Sequence, residues 1–275
     1  MSDARACLVA FKCLLRNLPL LVRPHPKTPL RILAVMALDF LHMLRRTRPM
    51  PRRRPLELAM FLDFQACTNA EWDRKAFCAR EYETMRRRLE SAGLARYIEA
   101  YLTRLQKLES QRPSIAGAHR RFDDVRSYRE AVARLSLAAA AALALDAPSV
   151  EEEILAIDRD GDLQALFRIA LQCQVVDDVL DYREDLSAGL PSFLTATVSL
   201  PQAISRTARV ARCYGNAGKT VLLPLRVALA LVTAMTTFTV RVARARQLLG
   251  PQGRLNFTSP AGLNSSGVPQ TPPRL

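Results

Sequence analysis

The stretch QVVDDVLDYREDLSAGLPSFL, at residues 174–194, places five acidic side chains close together on one predicted helix. At about 100° per residue they fall within roughly a third of the helix circumference, and residues one turn apart form a column. The five acids are Asp177, Asp178, Asp181, Glu184 and Asp185. Like charges on one arc repel one another, so this arc needs cations, protons or water beside it.

The turns that precede the acids are apolar on both sides of the helix. The acid arc continues backwards through Leu163, Leu166, Phe167, Ala170 and Cys173, while Ile169, Val175, Val176, Val179 and Leu186 lie opposite. A solvated surface helix would keep one face polar. Since carboxylates are rarely buried unless paired or metal-bound, the pattern favours the wall of an apolar pocket with carboxylates at its mouth over a plain solvated face.

The spacing of prolines predicts an all-α chain. Seven of the 17 prolines precede Leu56, five follow Leu249, and only five lie between them. Long uninterrupted helices fit this spacing, whereas a sheet protein would show more frequent turn residues. Ala- and Leu-rich runs such as VARLSLAAAAALAL, from Val132, are strong helix formers.

Helical periodicity and stop signals divide the chain into three parts. Residues 1–55 are predicted to form N-terminal helices and a basic linker rich in Pro and Arg, packed on the core. Residues 56–249 are predicted to form a single helical catalytic domain, with one helix over 56–89 and another over 162–186. Residues 250–275 are rich in Pro, Gly and Ser and are predicted to be a disordered tail.

The net charge of +14 limits the partners to be considered. Much of the excess lies in RRTRPMPRRRP, from Arg45 to Pro55. Nucleic acid is not expected as a partner, because no zinc-finger spacing, RNA-binding aromatic motif or heptad repeat accompanies the run. Two interpretations stay open, namely peripheral contact with anionic headgroups at a membrane surface and a solvated loop between helices.

Cysteine usage and hydropathy indicate a cytoplasmic protein. The six cysteines show no CxxC spacing and predict buried, reduced thiols. The apolar stretch at residues 6–22 is broken by Lys12 and Arg16, so no signal peptide is predicted. Residues 221–240 could span a bilayer, but their four threonines favour a buried core helix.

Two segments resemble known ligand-binding loops but lack a residue that the loop requires. GNAGKT, at residues 215–220, has Cys213 where a phosphate-binding loop needs glycine. DRDGD, at residues 158–162, has Ile169 where a calcium loop needs its bidentate Glu. The three histidines are isolated in the sequence, so no histidine-based chemistry is predicted.

A second polar cluster occurs in FLDFQACTNAEWDRKAF, at residues 61–77. Asn69 and Asp73 lie one turn apart and share a helix face. Their side-chain oxygens are suitable ligands for Mg²⁺. Taken alone, the pair is more typical of a polar helix end, and its importance comes from the other acid-bearing helix.

Together these motifs resemble class I isoprenoid synthases. Asp177, Asp178 and Asp181 are similar to the DDxxD of chain-elongating prenyl diphosphate synthases. Gln174, Asp181, Glu184, Asp185 and Gly189 are similar to the Q…DxxEDxxxG of squalene and phytoene synthases, and Tyr128, Val132 and Ala133 match the YxxxVA of the same branch. The resemblance covers about residues 60–245.

The resemblance implies an antiparallel helical bundle around an apolar cavity, with two acidic helices holding Mg²⁺ over a prenyl diphosphate substrate. The implied metal ligands are Asp177, Asp181, Asp185, Glu184, Asn69 and Asp73. The implied catalytic residues are Asp181, Asp185 and Tyr128, and the implied substrate-binding residues are Arg129, Arg126, Phe167 and Tyr182, with Arg183 a further candidate.

The first acidic motif departs from the family pattern, since only Asn69 and Asp73 stand where two aspartates are usual. Leu190 and Ser192-Phe193-Leu194 likewise replace the Arg and Tyr-Leu-Pro that usually follow the second motif. The expected activity is therefore a squalene/phytoene synthase-like prenyltransferase. The alternatives are a class I terpene cyclase that uses one prenyl diphosphate and a non-catalytic, membrane-associated helical protein with a decayed first motif.

Overall fold

The computed structural model describes residues 3–22, 29–73, 77–116, 121–216, 218 and 221–249. The predicted tail at 250–275 lies outside these residues. Within them every element of regular secondary structure is a helix, as the sequence predicted. The helices are α1 (Asp3–Val22), α2 (Pro29–Arg46), α3 (Arg54–Trp72), α4 (Ala79–Ser91), α5 (Ala95–Glu109), α6 (Phe122–Leu145), α7 (Val150–Arg159), α8 (Gly161–Leu180), α9 (Tyr182–Ala188), α10 (Leu200–Tyr214) and α11 (Leu223–Leu249).

Helices α6 and α8 form the centre of the packing. Helix α6 contacts α2, α3, α5, α7 and α8, and α8 makes its most extensive contacts with α11. The C-terminal half of α6 is fully buried from Ala138 to Leu145. Its alanines have no long side chains, so neighbouring helices can approach its backbone closely.

Two predicted helices are interrupted. The helix expected over 56–89 is two helices, since α3 ends at Trp72 with Asp73 as its C-cap and α4 begins at Ala79. The helix expected over 162–186 breaks at Asp181, where φ −90° and ψ 7° leave the helical range. Neither break carries a Gly or Pro, so no helix stop signal marks these points in the sequence.

The chain between α9 and α10 is irregular yet buried. Gly189 adopts a left-handed φ of 69° and ends α9, and the backbone from Leu190 to Thr197 is then buried throughout. The Thr195 hydroxyl donates to the Leu190 carbonyl at 2.6 Å and accepts from the Ser192 amide at 2.8 Å. Side-chain hydrogen bonds thus satisfy backbone groups that a helix would otherwise pair.

The basic run at Arg45–Pro55 is held against the body of the protein by several of its arginines. Arg45 pairs with Asp160 at 2.5 Å, and Arg54 pairs with Asp146 at 2.9 Å. Arg46 donates to the Leu145 carbonyl at 3.1 Å. These contacts neutralise or bind part of the positive charge that was expected to face solvent or a membrane.

The cysteines are free in the structure, but their expected burial holds only in part. Cys13 is buried, and Cys67 and Cys173 are half-buried. Cys7, Cys78 and Cys213 are exposed, so the prediction of buried thiols is wrong for these three. Each lies at or near a helix surface that faces solvent, which periodicity alone did not distinguish.

Candidate active site

Helix α3 delivers Asp73 to the site from its C-terminal end. Asp73 caps α3, and its amide donates to the Asn69 carbonyl at 2.9 Å. Its carboxylate forms an ion pair with Arg112, which follows α5 in the chain. Arg112 also donates to the Trp72 carbonyl at 3.2 Å. A cation at the end of α3 offsets the partial negative charge of the helix C-terminus, which explains why Arg112 lies there.

Helix α6 contributes Arg129, whose guanidinium pairs with the fully buried Asp178 of α8. The second Asp178 oxygen accepts from the Phe193 amide at 2.6 Å. Burial raises the pKa of the Asp178 carboxyl, while Arg129 and the Phe193 amide act to lower it. Asp178 is therefore a structural link between α6, α8 and the buried loop.

Helices α8 and α9 supply the acid column. Backbone hydrogen bonds run from the Asp181 amide to the Asp177 carbonyl at 2.8 Å and from the Asp185 amide to the Asp181 carbonyl at 2.9 Å. The one-turn spacing of the three acids thus survives the break between the helices. Asp185 is buried, Asp181 is half-buried and Asp177 is exposed.

These side chains line one cavity of about 140 Å³, whose lining residues are Asp73, Arg112, Arg129, Asp177, Asp178, Asp181, Asp185, Leu190 and Pro191. A space of this size holds several waters, or a small ion with part of its hydration shell. The lining is mainly charged, in contrast to the apolar pocket that the sequence predicted. The apolar lead-in Leu163, Leu166 and Phe167 is packed in the core.

The charge of the cavity is opposite to that of the protein. Its lining has five carboxylates and two guanidiniums, a formal charge of −3, in a chain with a net charge of +14. Such a lining attracts cations, and it also keeps guanidinium donors available for an anion that a cation brings in.

The fit of Mg²⁺ follows from the donor chemistry of this lining. Carboxylate oxygens are the ligands that Mg²⁺ prefers. Within the described ranges, no three His, Cys, Asp or Glu side chains are close enough to hold a metal by themselves. Mg²⁺ is commonly bound by one or two carboxylates together with water and phosphate oxygens, so a lining of this kind suits a metal that arrives with a phosphorylated ligand.

Several predicted site residues lie outside the lining. Asn69 accepts a hydrogen bond from the Tyr101 hydroxyl at 3.2 Å. Glu184 is exposed on α9, and so is Arg183. Of the two first-motif residues, the structure brings only Asp73 to the acid column.

The aromatic candidates and Arg126 also make other contacts. Tyr128 is buried and donates to Glu109 at 2.7 Å, and burial raises the pKa of its hydroxyl. Arg126 pairs with Glu130 at 2.7 Å. Phe167 is buried beneath the Arg134 guanidinium, 4.8 Å from its ring centroid, and Tyr182 is half-buried against the core. Their predicted roles in catalysis and substrate binding stay predictions.

Sequence reasoning missed Arg112, Glu109 and the turn at Leu190 and Pro191. Glu109 is buried beside Arg112, with 3.5 Å between Oε2 and Nε, and burial raises the pKa of its carboxyl. Arg112 and Glu109 come from the end of α5 and the segment after it, which carry no acidic motif. Arg112 and Asp73 lie 39 positions apart in the sequence, and local periodicity does not predict a contact over that distance.

The comparisons with known proteins returned no match to this chain among protein-family models, curated proteins or solved structures.

Proposed function

We propose that this protein is a Mg²⁺-dependent class I isoprenoid synthase that ionises prenyl diphosphates, as a squalene/phytoene synthase-like prenyltransferase. The observation that carries the proposal is that Asp73, from α3, shares one cavity with Asp177, Asp181 and Asp185. These acids come from the two segments whose motifs resemble the metal-binding motifs of that superfamily. Cytoplasmic location with peripheral membrane contact is part of the same proposal.

In this proposal the protein positions the charged head of the substrate. One or two of the carboxylates of Asp177, Asp181, Asp185 and Asp73 would hold the metal, together with water and diphosphate oxygens. Arg112 and Arg129 donate to diphosphate oxygens from the same cavity, because guanidinium groups match phosphate geometry. When bound, Mg²⁺ neutralises charge on the diphosphate and makes it a better leaving group.

The reaction then follows from the loss of diphosphate. The allylic carbon–oxygen bond breaks, and its electron pair leaves with the diphosphate. The resulting carbocation is captured by the double bond of a second prenyl chain in a prenyltransferase, or by a double bond of its own chain in a cyclase. The new cation formed by this capture then loses a proton to the released diphosphate, which leaves an uncharged carbon skeleton. A bound substrate that covers the cavity would exclude water, which otherwise reacts with the carbocation.

The test is incubation of the purified chain with geranyl, farnesyl and geranylgeranyl diphosphates and Mg²⁺, followed by mass analysis of products. Products with the carbon number of two substrates support the prenyltransferase. Products with unchanged carbon number indicate the cyclase, and no diphosphate release from any substrate contradicts both enzymes in favour of a non-catalytic protein.

Substitution of the acid column adds a residue-level test. Asp181→Asn and Asp185→Asn are expected to lower turnover by more than about 100-fold, since even outer-shell partners of a metal cost 10–100-fold. Asp124→Asn is the matched control, because Asp124 is exposed on α6 and away from the cavity. Melting curves of all three variants show whether lost activity reflects lost folding, in which case the acids are structural.

A further inference from the structure

Helix α1 has its apolar side chains on the outside. Phe11 is 55% exposed, and Leu8, Leu15 and Leu18 are exposed on the same stripe. The opposite side, which is buried, carries the small or polar residues Ala6, Cys13 and Asn17. A surface helix of a soluble domain normally shows the reverse arrangement.

Helix α11 is apolar on its outer side as well as on its inner side. Leu231 is 66% exposed and Phe238 69%, and Val227 and Met235 are exposed on the same side. The inner side buries Leu225, Leu229 and Val240, and Thr236 there donates to the Gln172 carbonyl of α8 at 3.3 Å. By length and composition, Leu223–Arg246 could cross a membrane, and only 22% of its most apolar stretch is buried. The expectation of a buried core helix over 221–240 is therefore wrong.

These two helices with exposed apolar stripes are neighbours. Helices α1 and α11 are in contact, and Arg226 pairs with Asp3 at 3.2 Å between their N-terminal ends. They carry nine of the 14 exposed large apolar side chains in the described part of the chain. Concentrated apolar exposure of this kind marks a site of interaction with another molecule or a membrane.

The charge beside this apolar surface selects the occupant. Helix α11 has no Asp or Glu, and the one acid of α1, Asp3, is paired with Arg226. Exposed basic residues on the two helices are Arg5, Lys12, Arg241, Arg244 and Arg246. Apolar side chains bordered by basic ones suit an anionic bilayer surface, where both kinds of contact are favourable.

The same charges disfavour the other occupants. A second copy docking face to face would bring like charges together, in a chain whose net charge is already +14. A span by α11 would require the helix to leave α8, its principal packing partner, and would break the Gln172 hydrogen bonds. Helix α11 can keep these contacts if it lies in the plane of the interface.

We propose that α1 and α11 form a docking surface for an anionic lipid bilayer, with both helices parallel to the membrane and their apolar stripes inserted at the headgroup boundary. This surface does not include the acidic cavity, and the proposal does not depend on the proposed enzymatic activity. It places membrane contact on these two helices and not on the basic run at Arg45–Pro55.

The test is flotation of the full chain with vesicles of phosphatidylcholine alone and with 30% phosphatidylglycerol (about a third anionic lipid, as charge-driven binding requires). Binding is expected with the anionic vesicles and is expected to fall by about tenfold or more at high salt. The double variant Phe11→Ser/Leu231→Ser is expected to lose binding by at least about tenfold, since the apolar insertion is removed. Leu155→Ser, on the exposed face of α7, is the apolar control and is expected to bind as the unaltered chain does.

The contribution of the basic residues to lipid binding is tested with a matched pair of double variants. Arg241→Gln/Arg244→Gln is expected to weaken anionic binding more than Arg80→Gln/Arg88→Gln, which removes the same charge from exposed positions on α4. Equal binding by all variants would overturn the proposal. Membrane association that resists alkaline carbonate would also overturn it, because such resistance indicates a spanning helix. A third contradicting result is absent lipid binding together with a dimer in sedimentation that the Phe11→Ser/Leu231→Ser variant dissociates.

Discussion

At the scale of single residues, two adjacent acids have different environments. Asp178 is buried between Arg129 and the Phe193 amide, whereas Asp177 is exposed at the cavity. The resemblance to DDxxD treats both as members of one motif. Burial assigns Asp178 to holding the fold, whereas Asp177 lies at the exposed edge of the cavity.

Asp178→Ala is expected to destabilise the protein by about 3–5 kcal/mol, because Arg129 loses its buried partner. Asp177→Ala, at an exposed position, is expected to destabilise the protein by less than Asp178→Ala does. Urea unfolding measures both. The double variant Arg129→Met/Asp178→Leu should recover part of the loss, and equal effects of the two single variants would contradict the distinction.

A second residue, Glu153 of α7, is expected to make stability depend on pH. It is buried, and its Oε2 has no hydrogen-bond partner in the part of the chain that the structure describes. Burial raises the pKa of its carboxyl, with Arg45 acting in the opposite direction. The folded state therefore holds the proton more tightly than the unfolded state. Its contribution to stability is present below the unfolded pKa and is lost as the pH rises through the folded pKa.

Glu153→Gln is accordingly expected to raise the free energy of unfolding by about 1 kcal/mol at pH 7–8, the low end of the cost of an unsatisfied buried polar group. Near pH 4 the variant and the unaltered chain should be equally stable, since the carboxyl is then protonated in both states. Thermal melts across this range measure the difference. Glu152→Gln, exposed in the same first turn, should show no such trend.

At the scale of elements, the packing of α10 against α11 depends on a close approach at Gly215, the C-cap of α10. A Cβ added at Gly215 would lie 2.6 Å from Thr233 Cγ2 and 3.0 Å from its Oγ1. Gly215 has φ −71°, so its backbone itself would accept a side chain. The contact, and not the turn, requires glycine at this position.

Gly215→Ala is therefore expected to cost about 1–3 kcal/mol by overpacking, since Thr233 is β-branched and held by Gln172. Adding Thr233→Ala should restore part of this loss, so that the double-variant effect is smaller than the sum of the single ones. Chemical denaturation of the four chains measures the coupling. Strict additivity would show that the two residues do not meet.

Sequence patterns predicted the helices better than their surroundings. Helix-forming composition indicated a helix from Val132 within α6, and periodicity located α8 through its apolar turns. Periodicity missed the break at Asp181, which carries no Gly or Pro. It also predicted that α11 is buried, because hydropathy does not say which face of an apolar helix packs on a partner; the Gln172–Thr233 contact settles that only in three dimensions.

At the scale of the whole molecule, the excess positive charge is unevenly distributed. The sequence located it at Arg45–Pro55, but Arg45 and Arg54 there pair with acids of the helical body. Exposed positive charge lies on α1 and α11 as well as at Arg48, Arg52 and Arg53 of the run, and the cavity at Asp177–Asp185 is negative. Composition predicted the total charge, while long-range ion pairs determine where it is available.

The pairing of distant segments also limits what sequence could say of the site. The acid column was predicted because its members are one turn apart. Its companions Arg112 and Arg129 reach it through ion pairs with Asp73 and Asp178, across 39 and 49 residues of sequence. The resemblance identified the acids, but it carries no information on which cation lies beside which acid.

The buried loop at Leu190–Thr197 has a consequence for the dynamics of the whole molecule. Phe193 is fully buried, its ring lies 6.2 Å from Phe122 and 6.5 Å from Tyr214, and its amide is bonded to Asp178. Although the segment is not helical, the Phe193 amide can exchange with solvent deuterium only when α6, α8 and α10 separate. Hydrogen exchange at Phe193 is thus expected to be as slow as in central α8 and to report the opening free energy of the entire bundle.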